Sequence, residues 1–196
     1  MLRKLLIIML LLSTKHAWAQ NNYEPYYKPS SYPKPIPKDT DKTDYRNTGT
    51  PLSDFRVVTL PLKSTDKPPA PDIPSRTITK ADVKNDANLF LMLFNPTCGH
   101  CEDMTKLIED NISVFKNSKI LLVAAQHMGE YLVMFEKGLK TNDYPQIAVG
   151  LDSSHLIDRT FMYMSLPQIN IYNKDRILIK RFSGEIPLDS LRQYVQ

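Results

Sequence analysis

The sequence predicts an α/β domain built on a mixed sheet, and three observations predict it. Residues 87–94 and 120–125 are almost wholly apolar, as expected of strands buried on both faces of a sheet. Each run is followed by apolar residues at helical spacing. These are Met104, Leu107, Ile108, Ile112 and Phe115 after the first, and Met128, Tyr131, Leu132, Phe135 and Leu139 after the second. Further on, 168–172 and 176–182 flank Asn173-Lys174-Asp175, which reads as a hairpin. Strands alternating with helices, then a hairpin and a closing helix, make a mixed sheet flanked by helices.

The 196-residue chain opens with a leader pattern. Arg3 and Lys4 precede an apolar run over residues 5–12, and Ala17-Trp18-Ala19 forms a small-x-small cleavage site. The run falls short of the roughly 20 residues of a spanning helix. Residues 1–19 therefore read as a signal peptide cleaved after Ala19, which places the protein in a periplasm or outside the cell. Most of the fifteen prolines lie between Pro25 and Pro74. Residues 20–72 mix Pro, Tyr and Lys without an apolar period, the composition of an extended, disordered arm. Within it, 55–60 reads as a short edge strand. The arm is expected to act as a spacer or to dock to an envelope component.

Residues 73–196 read as one domain, with about 120 residues for one core. Thr79 is placed to cap a short helical turn to Lys84, with a turn at Asn85-Asp86. The spacing predicts a strand over 87–94 and a helix over 98–115, broken by Asn117-Ser118. A strand over 120–125 and a helix ending near Leu139 follow, then a strand over 146–151 and a helix over 155–163. After the hairpin, Leu188, Leu191 and Val195 mark a last helix with Pro187 in its first turn. The net charge of +4 is spread out, without the basic cluster that nucleic acid requires.

The chemistry is concentrated in Cys98-Gly99-His100-Cys101, which holds both cysteines. The pair follows a buried strand and opens a helix. Unpaired N–H groups and the partial positive charge of a helix N-terminus favour a thiolate, the nucleophile of disulfide exchange. A structural zinc site needs about four ligands. There is no third cysteine, and His127 and His155 lack ligand spacing, so no metal is expected. Haem attachment needs a histidine where Glu102 stands. An exported chain with an even cysteine count suits an oxidising compartment.

Together these features resemble the thioredoxin superfamily over 73–196, and within it the exported TlpA/ResA-like thiol–disulfide oxidoreductases. The residues carrying the likeness are Asn95-Pro96-Thr97-Cys98-Gly99-His100-Cys101, Ser165-Leu166-Pro167 before the hairpin, Arg181-Phe182-Ser183-Gly184 at its end, and the last helix. The resemblance implies a thioredoxin-like fold in which Cys98 is the nucleophile and Cys101 the resolving thiol. The redox-active Cys98–Cys101 disulfide would then take the place of any cofactor. Pro167 would be a cis-proline facing the sulfurs, with Leu166 and Thr97 contacting substrate.

Gly99 and His100 would tune the potential. A Gly-His pair also occurs in protein disulfide isomerases, near −180 mV against roughly −270 mV for thioredoxin. An imidazole donating to the Cys98 thiolate would make the disulfide more oxidising. Two departures stand out. Thr97 replaces the usual Trp, and Met92 occupies the place of a buried acid that deprotonates the resolving thiol, leaving Glu102 as the candidate proton acceptor. The expected function is reduction or isomerisation of client disulfides, with a membrane electron donor or acceptor as partner. An oxidase of secreted thiols and a non-catalytic thioredoxin-like binding module of an envelope assembly are the alternatives.

Overall fold

The computed structural model describes residues 43–61, 74–162 and 164–195. The leader and the first part of the arm lie outside these residues. The central strand, β3 (Leu89–Phe94), explains the architecture. All six residues are buried, and alternate side chains enter different cores. Phe90, Met92 and Phe94 join one, while Leu89, Leu91 and Leu93 join the other. A strand with no polar face must be covered on both sides and paired on both edges. It pairs in parallel with β4 (Lys119–Ala125) and antiparallel with β6 (Gln168–Tyr172).

The full sheet has seven strands in the order β2-β1-β5-β4-β3-β6-β7. β1 is Arg56–Val58, β2 is Thr77–Thr79, β5 is Ile147–Asp152 and β7 is Leu178–Ser183. The first core lies under α1 (Gly99–Asp110), α2 (Ile112–Phe115), α3 (Gly129–Gly138) and α5 (Leu188–Arg192), which contribute Met104, Ile108, Phe115, Leu132, Phe135 and Leu191. Phe115 packs edge-on to Phe90, ring centroids 5.2 Å apart. The second core is closed by Leu52, Phe55, Val57, Ile78 and Val83, with Leu156 from α4 (Leu156–Thr160).

Several expectations are corrected here. Residues 43–61 belong to the domain and not to an arm, so a boundary at 73 lies too far along the chain. Leu52, Phe55 and Val57 are buried, because they cover the Leu89/Leu91/Leu93 face of β3. The expected strand at 55–60 is not at the edge. β1 lies between β2 and β5, antiparallel to both. Gly150 permits the close approach, since a Cβ there would stand 2.6 Å from Val57 Cγ1 and 2.7 Å from the Val58 carbonyl oxygen.

Thr79 ends β2 rather than capping a helix. Its N–H and hydroxyl both donate to the Asp82 carboxylate, closing a turn. The helix expected over 98–115 is broken at Asn111 into α1 and α2. Arg176 is not a strand residue. Its backbone is left-handed, φ 61°, and its side chain turns inward. Pro187 caps α5 from outside its first turn.

Two further connections shape the sheet's ends. Residues 49–52 pair with the start of β7 and the residues before it: Gly49 N–H donates to the Leu178 carbonyl at 2.8 Å, Leu178 N–H to the Thr50 carbonyl at 2.9 Å, and Leu52 N–H to the Arg176 carbonyl at 2.7 Å. The Arg176 guanidinium is the stitch across this region. It is 3% exposed and donates to the carbonyls of Ala87 (2.9 Å), Asn173 (2.8 Å) and Val83, and to Asn85 Oδ1 (2.7 Å). Among the described residues no helix is long and apolar enough to cross a membrane.

Arg176→Met should take the donors from the Val83 and Ala87 carbonyls, while the Asn173 carbonyl keeps the backbone N–H of residue 176. We expect it to lower stability by about 3 kcal/mol, seen as a lower urea midpoint with an unchanged slope. A second effect concerns Glu136 on α3. Burial raises its carboxyl to about 7 from the ordinary 4.5. The folded state holds the proton better than the unfolded chain, so this group's contribution is complete below about pH 4.5 and is lost as pH rises to 7. Glu136→Gln should remove that fall and gain up to about 3 kcal/mol over the wild type at pH 8, measured by urea unfolding across pH 4–8.

Candidate active site

β3 delivers the cysteines. After Phe94 the chain turns through Asn95-Pro96-Thr97, and the Asn95 side chain fixes the turn. Its Oδ1 accepts the Thr97 N–H and hydroxyl, each at 2.9 Å, and its carbonyl accepts the Cys98 N–H at 3.0 Å. Cys98 is then the N-cap of α1 in extended conformation, φ −96° and ψ 117°. Its carbonyl accepts the N–H groups of Cys101 (3.0 Å) and Glu102 (3.1 Å). No side chain caps this end, so the first turn keeps N–H groups directed at the Cys98 position.

The two thiols are free and sit in different surroundings. Cys98 is half-buried at the surface end of α1, whereas Cys101 has no exposure and packs in the first core with Met92, Phe94 and Met104. Burial pushes the Cys101 thiol up to about 12, with a smaller push from its hydrogen bond to the Cys98 thiol. The backbone of Asn95 works against both by hydrogen bonding to Cys101. Met92 is wholly buried in the same core, so the place of the missing acid is filled by a thioether and not by water.

The remaining residues expected at the site divide into two groups. Pro167 is buried and follows a cis peptide bond from Leu166. Gln168, with no exposure, anchors this loop. Its amide donates to the Thr160 carbonyl and to Asn170 Oδ1, and its Oε1 accepts the Met162 N–H, all at 2.9 Å. The Pro167 carbonyl accepts the Gly184 N–H at 2.9 Å. Gly184 has φ +78°, and a Cβ there would come within 3.0 Å of Ser165 Oγ. Leu166 lines a cavity of about 150 Å3 with Phe94 and Asn95, the residues leading to Cys98. Thr97 is exposed beside the nucleophile.

His100 and Glu102 turn elsewhere. His100 Nδ1 lies 3.1 Å from Glu185 Oε1, with both side chains well exposed. Glu102 is exposed and pairs with Lys106 at 2.6 Å, one helical turn on. The imidazole thus engages a carboxylate from the loop after β7, and the Glu102 carboxylate engages an ammonium on its own helix. Gly99 opens α1, and a Cβ there would meet open space. The structure gives a role to Asn95, which the sequence reading quoted only as part of the motif, and adds Glu185. Asn95 carried a signal, since Asn-Pro favours turn initiation. Glu185 carried none, because only the folded sheet brings it to His100.

No protein-family model matches the sequence, and no curated protein matches it. Solved structures do match it in fold. A Chlorobium tepidum protein assigned as a thiol:disulfide interchange protein DsbE aligns with a TM-score of 0.56 at 14% identity, over 76% of this chain and 95% of that one. StoA from Bacillus subtilis aligns at 0.52 and 13% identity, over 76% and 99%. The exposed lipoprotein thioredoxin of Streptococcus pneumoniae aligns at 0.50 and 21% identity, over 73% and 98%. At these identities the likeness is one of fold. With its mixed sheet, its cysteine pair at the head of α1 and its cis Leu166-Pro167 bond, the chain has a thioredoxin-like fold, shared with the assigned thiol:disulfide interchange protein and the lipoprotein thioredoxin above.

Proposed function

We propose that this protein is an exported thiol–disulfide oxidoreductase that reduces or isomerises client disulfides through Cys98. The observation that carries the reading is the asymmetry of the two thiols at the head of α1. One is half-exposed, and the other is sealed in the core and raised to about 12. The accessible Cys98 thiolate attacks a client disulfide, forming a mixed disulfide and releasing one client thiolate. The Cys101 thiolate then attacks Cys98 Sγ, closing the Cys98–Cys101 disulfide and releasing the second client thiolate. Two electrons pass to the client, and a dithiol donor must return them.

Part of the rise on Cys101 comes from the Cys98 thiol. That part is gone once Cys98 is held in a mixed disulfide, so the resolving thiol ionises more easily when it is needed. The released client thiolate, with an ordinary pKa near 8.5, is a base able to take the proton. Neither step needs Glu102, which stays with Lys106. Leu166, Pro167 and Thr97 would form the client-facing rim, with the Leu166 backbone pairing to an extended client strand. His100 and Gly99 are assigned to tuning the potential, with Glu185 deciding how much of the imidazole reaches Cys98.

An extracytoplasmic location and a membrane-bound electron donor complete the proposal. They rest on the leader pattern and on the TlpA/ResA-like resemblance. The exposed lipoprotein character of the pneumococcal protein supports the location. Residues 20–42 would serve as a tether or dock to an envelope component.

The reduction potential of the pair, measured in glutathione or dithiothreitol buffers, tests the proposal. A reversible disulfide near or below about −250 mV supports a reductase, and one above about −180 mV an isomerase or oxidase. A pair that never closes reversibly would overturn the enzyme reading in favour of a binding module. Cys98→Ser should cut disulfide reduction at least a thousandfold. Cys101→Ser should instead accumulate a client–Cys98 adduct visible by mass spectrometry. In the reduced protein at pH 8, iodoacetamide should modify Cys98 alone, and Cys101 only after unfolding in guanidinium, because a thiol raised to about 12 is almost wholly protonated there.

A further inference from the structure

A second cavity, of about 340 Å3, lies beside α3, towards the start of β5 and away from the end of β3 that leads to Cys98. Leu60, Ile147 and Val149 give it aliphatic walls, and Glu136 lines it as well. Glu136 is 7% exposed, and its Oε2 is fully buried with no hydrogen-bond partner. Among the described residues no cation stands within ion-pair distance of it. Arg76 lines the same cavity without pairing to it. Burial is the sole cause of the raised Glu136 carboxyl, as expected of an acid without a counter-ion. Leaving such a group unpaired is costly, and native folds rarely do so without a reason.

We propose that this cavity binds an aliphatic ammonium group, with the Glu136 carboxylate as its counter-ion and Leu60, Ile147 and Val149 around the hydrocarbon stem. The chemistry narrows the guest. A divalent metal would need several oxygen ligands, and no cluster of three ligating side chains occurs among the described residues. An anion would meet a buried carboxylate. A guanidinium is a planar fork that asks for a second acceptor, whereas an ammonium is a compact point charge. The volume sits at the lower end of ligand pockets, suited to one short chain. That chain is a free amine or the lysine side chain of a partner. The site is independent of the cysteine chemistry.

Isothermal titration of the full chain at pH 8 tests this with n-butylammonium chloride, with n-butanol as the uncharged isostere. Saturable one-to-one binding of n-butylammonium is expected, with n-butanol at least tenfold weaker. Glu136→Gln should weaken n-butylammonium at least tenfold while its circular dichroism stays that of the wild type. Should that variant fail to fold, carboxyl carbon NMR of the wild type replaces it, and the Glu136 signal must move with the same saturation curve. A capped Ala-Lys-Ala peptide then distinguishes the sources. Binding equal to that of n-butylammonium points to a partner's lysine, and its failure while n-butylammonium binds points to a free amine. Absence of saturable binding, equal binding of n-butanol, or unchanged affinity in folded Glu136→Gln would overturn the proposal.

Discussion

The whole domain follows from the double burial of β3. Six consecutive residues without a polar face cannot end a sheet or lie on its surface. They demand β4 and β6 on their edges, helices α1, α2, α3 and α5 over Phe90, Met92 and Phe94, and the 52–57 and 78–83 segments over Leu89, Leu91 and Leu93. That rigid strand also aims the chemistry. The turn after it is fixed by Asn95 and places Cys98 at the surface end of α1 and Cys101 in the core one turn later. The contrast between the two thiols is therefore a property of the core, set by where β3 stops.

Much of this is legible in the sequence, because it depends on neighbours along the chain. Apolar runs mark β3 and β4, helical spacing marks α1 and α3, and the Asn173-Lys174-Asp175 cluster marks the β6–β7 hairpin. The paired thiols are legible for the same reason, both lying within one helical turn. What was illegible depends on distant partners. β2 is three residues long and takes its identity from pairing with β1, and β1, legible as a short strand, takes its place inside the sheet from β2 and β5. Arg176 reads as the first residue of a strand, and only the fold brings Val83, Asn85 and Ala87 around its guanidinium. His100 reads as a neighbour of Cys98, yet Glu185 from beyond β7 receives it.

Proline content also misled the domain boundary. Composition before residue 73 is poor in core formers on average, yet Leu52, Phe55 and Val57 are enough to close one face. A few apolar side chains on an extended segment can finish a core that another part of the chain has begun.

The pairing of residues 49–52 with the start of β7 has a consequence for the molecule's social behaviour. Unpaired strand edges recruit other chains, and proteins commonly blunt them with short strands, prolines or covering loops. Here the start of β7 and the two residues before it are masked by the chain's own Gly49–Leu52 backbone, with Pro51 in it, and the other rim ends in the three-residue β2. A fragment begun at residue 73, where composition turns globular, would lose that mask and β1 together. It would present the flank of β7 and the flank of β5 as two open templates. The segment before residue 73 thus covers both the start of β7 and the flank of β5.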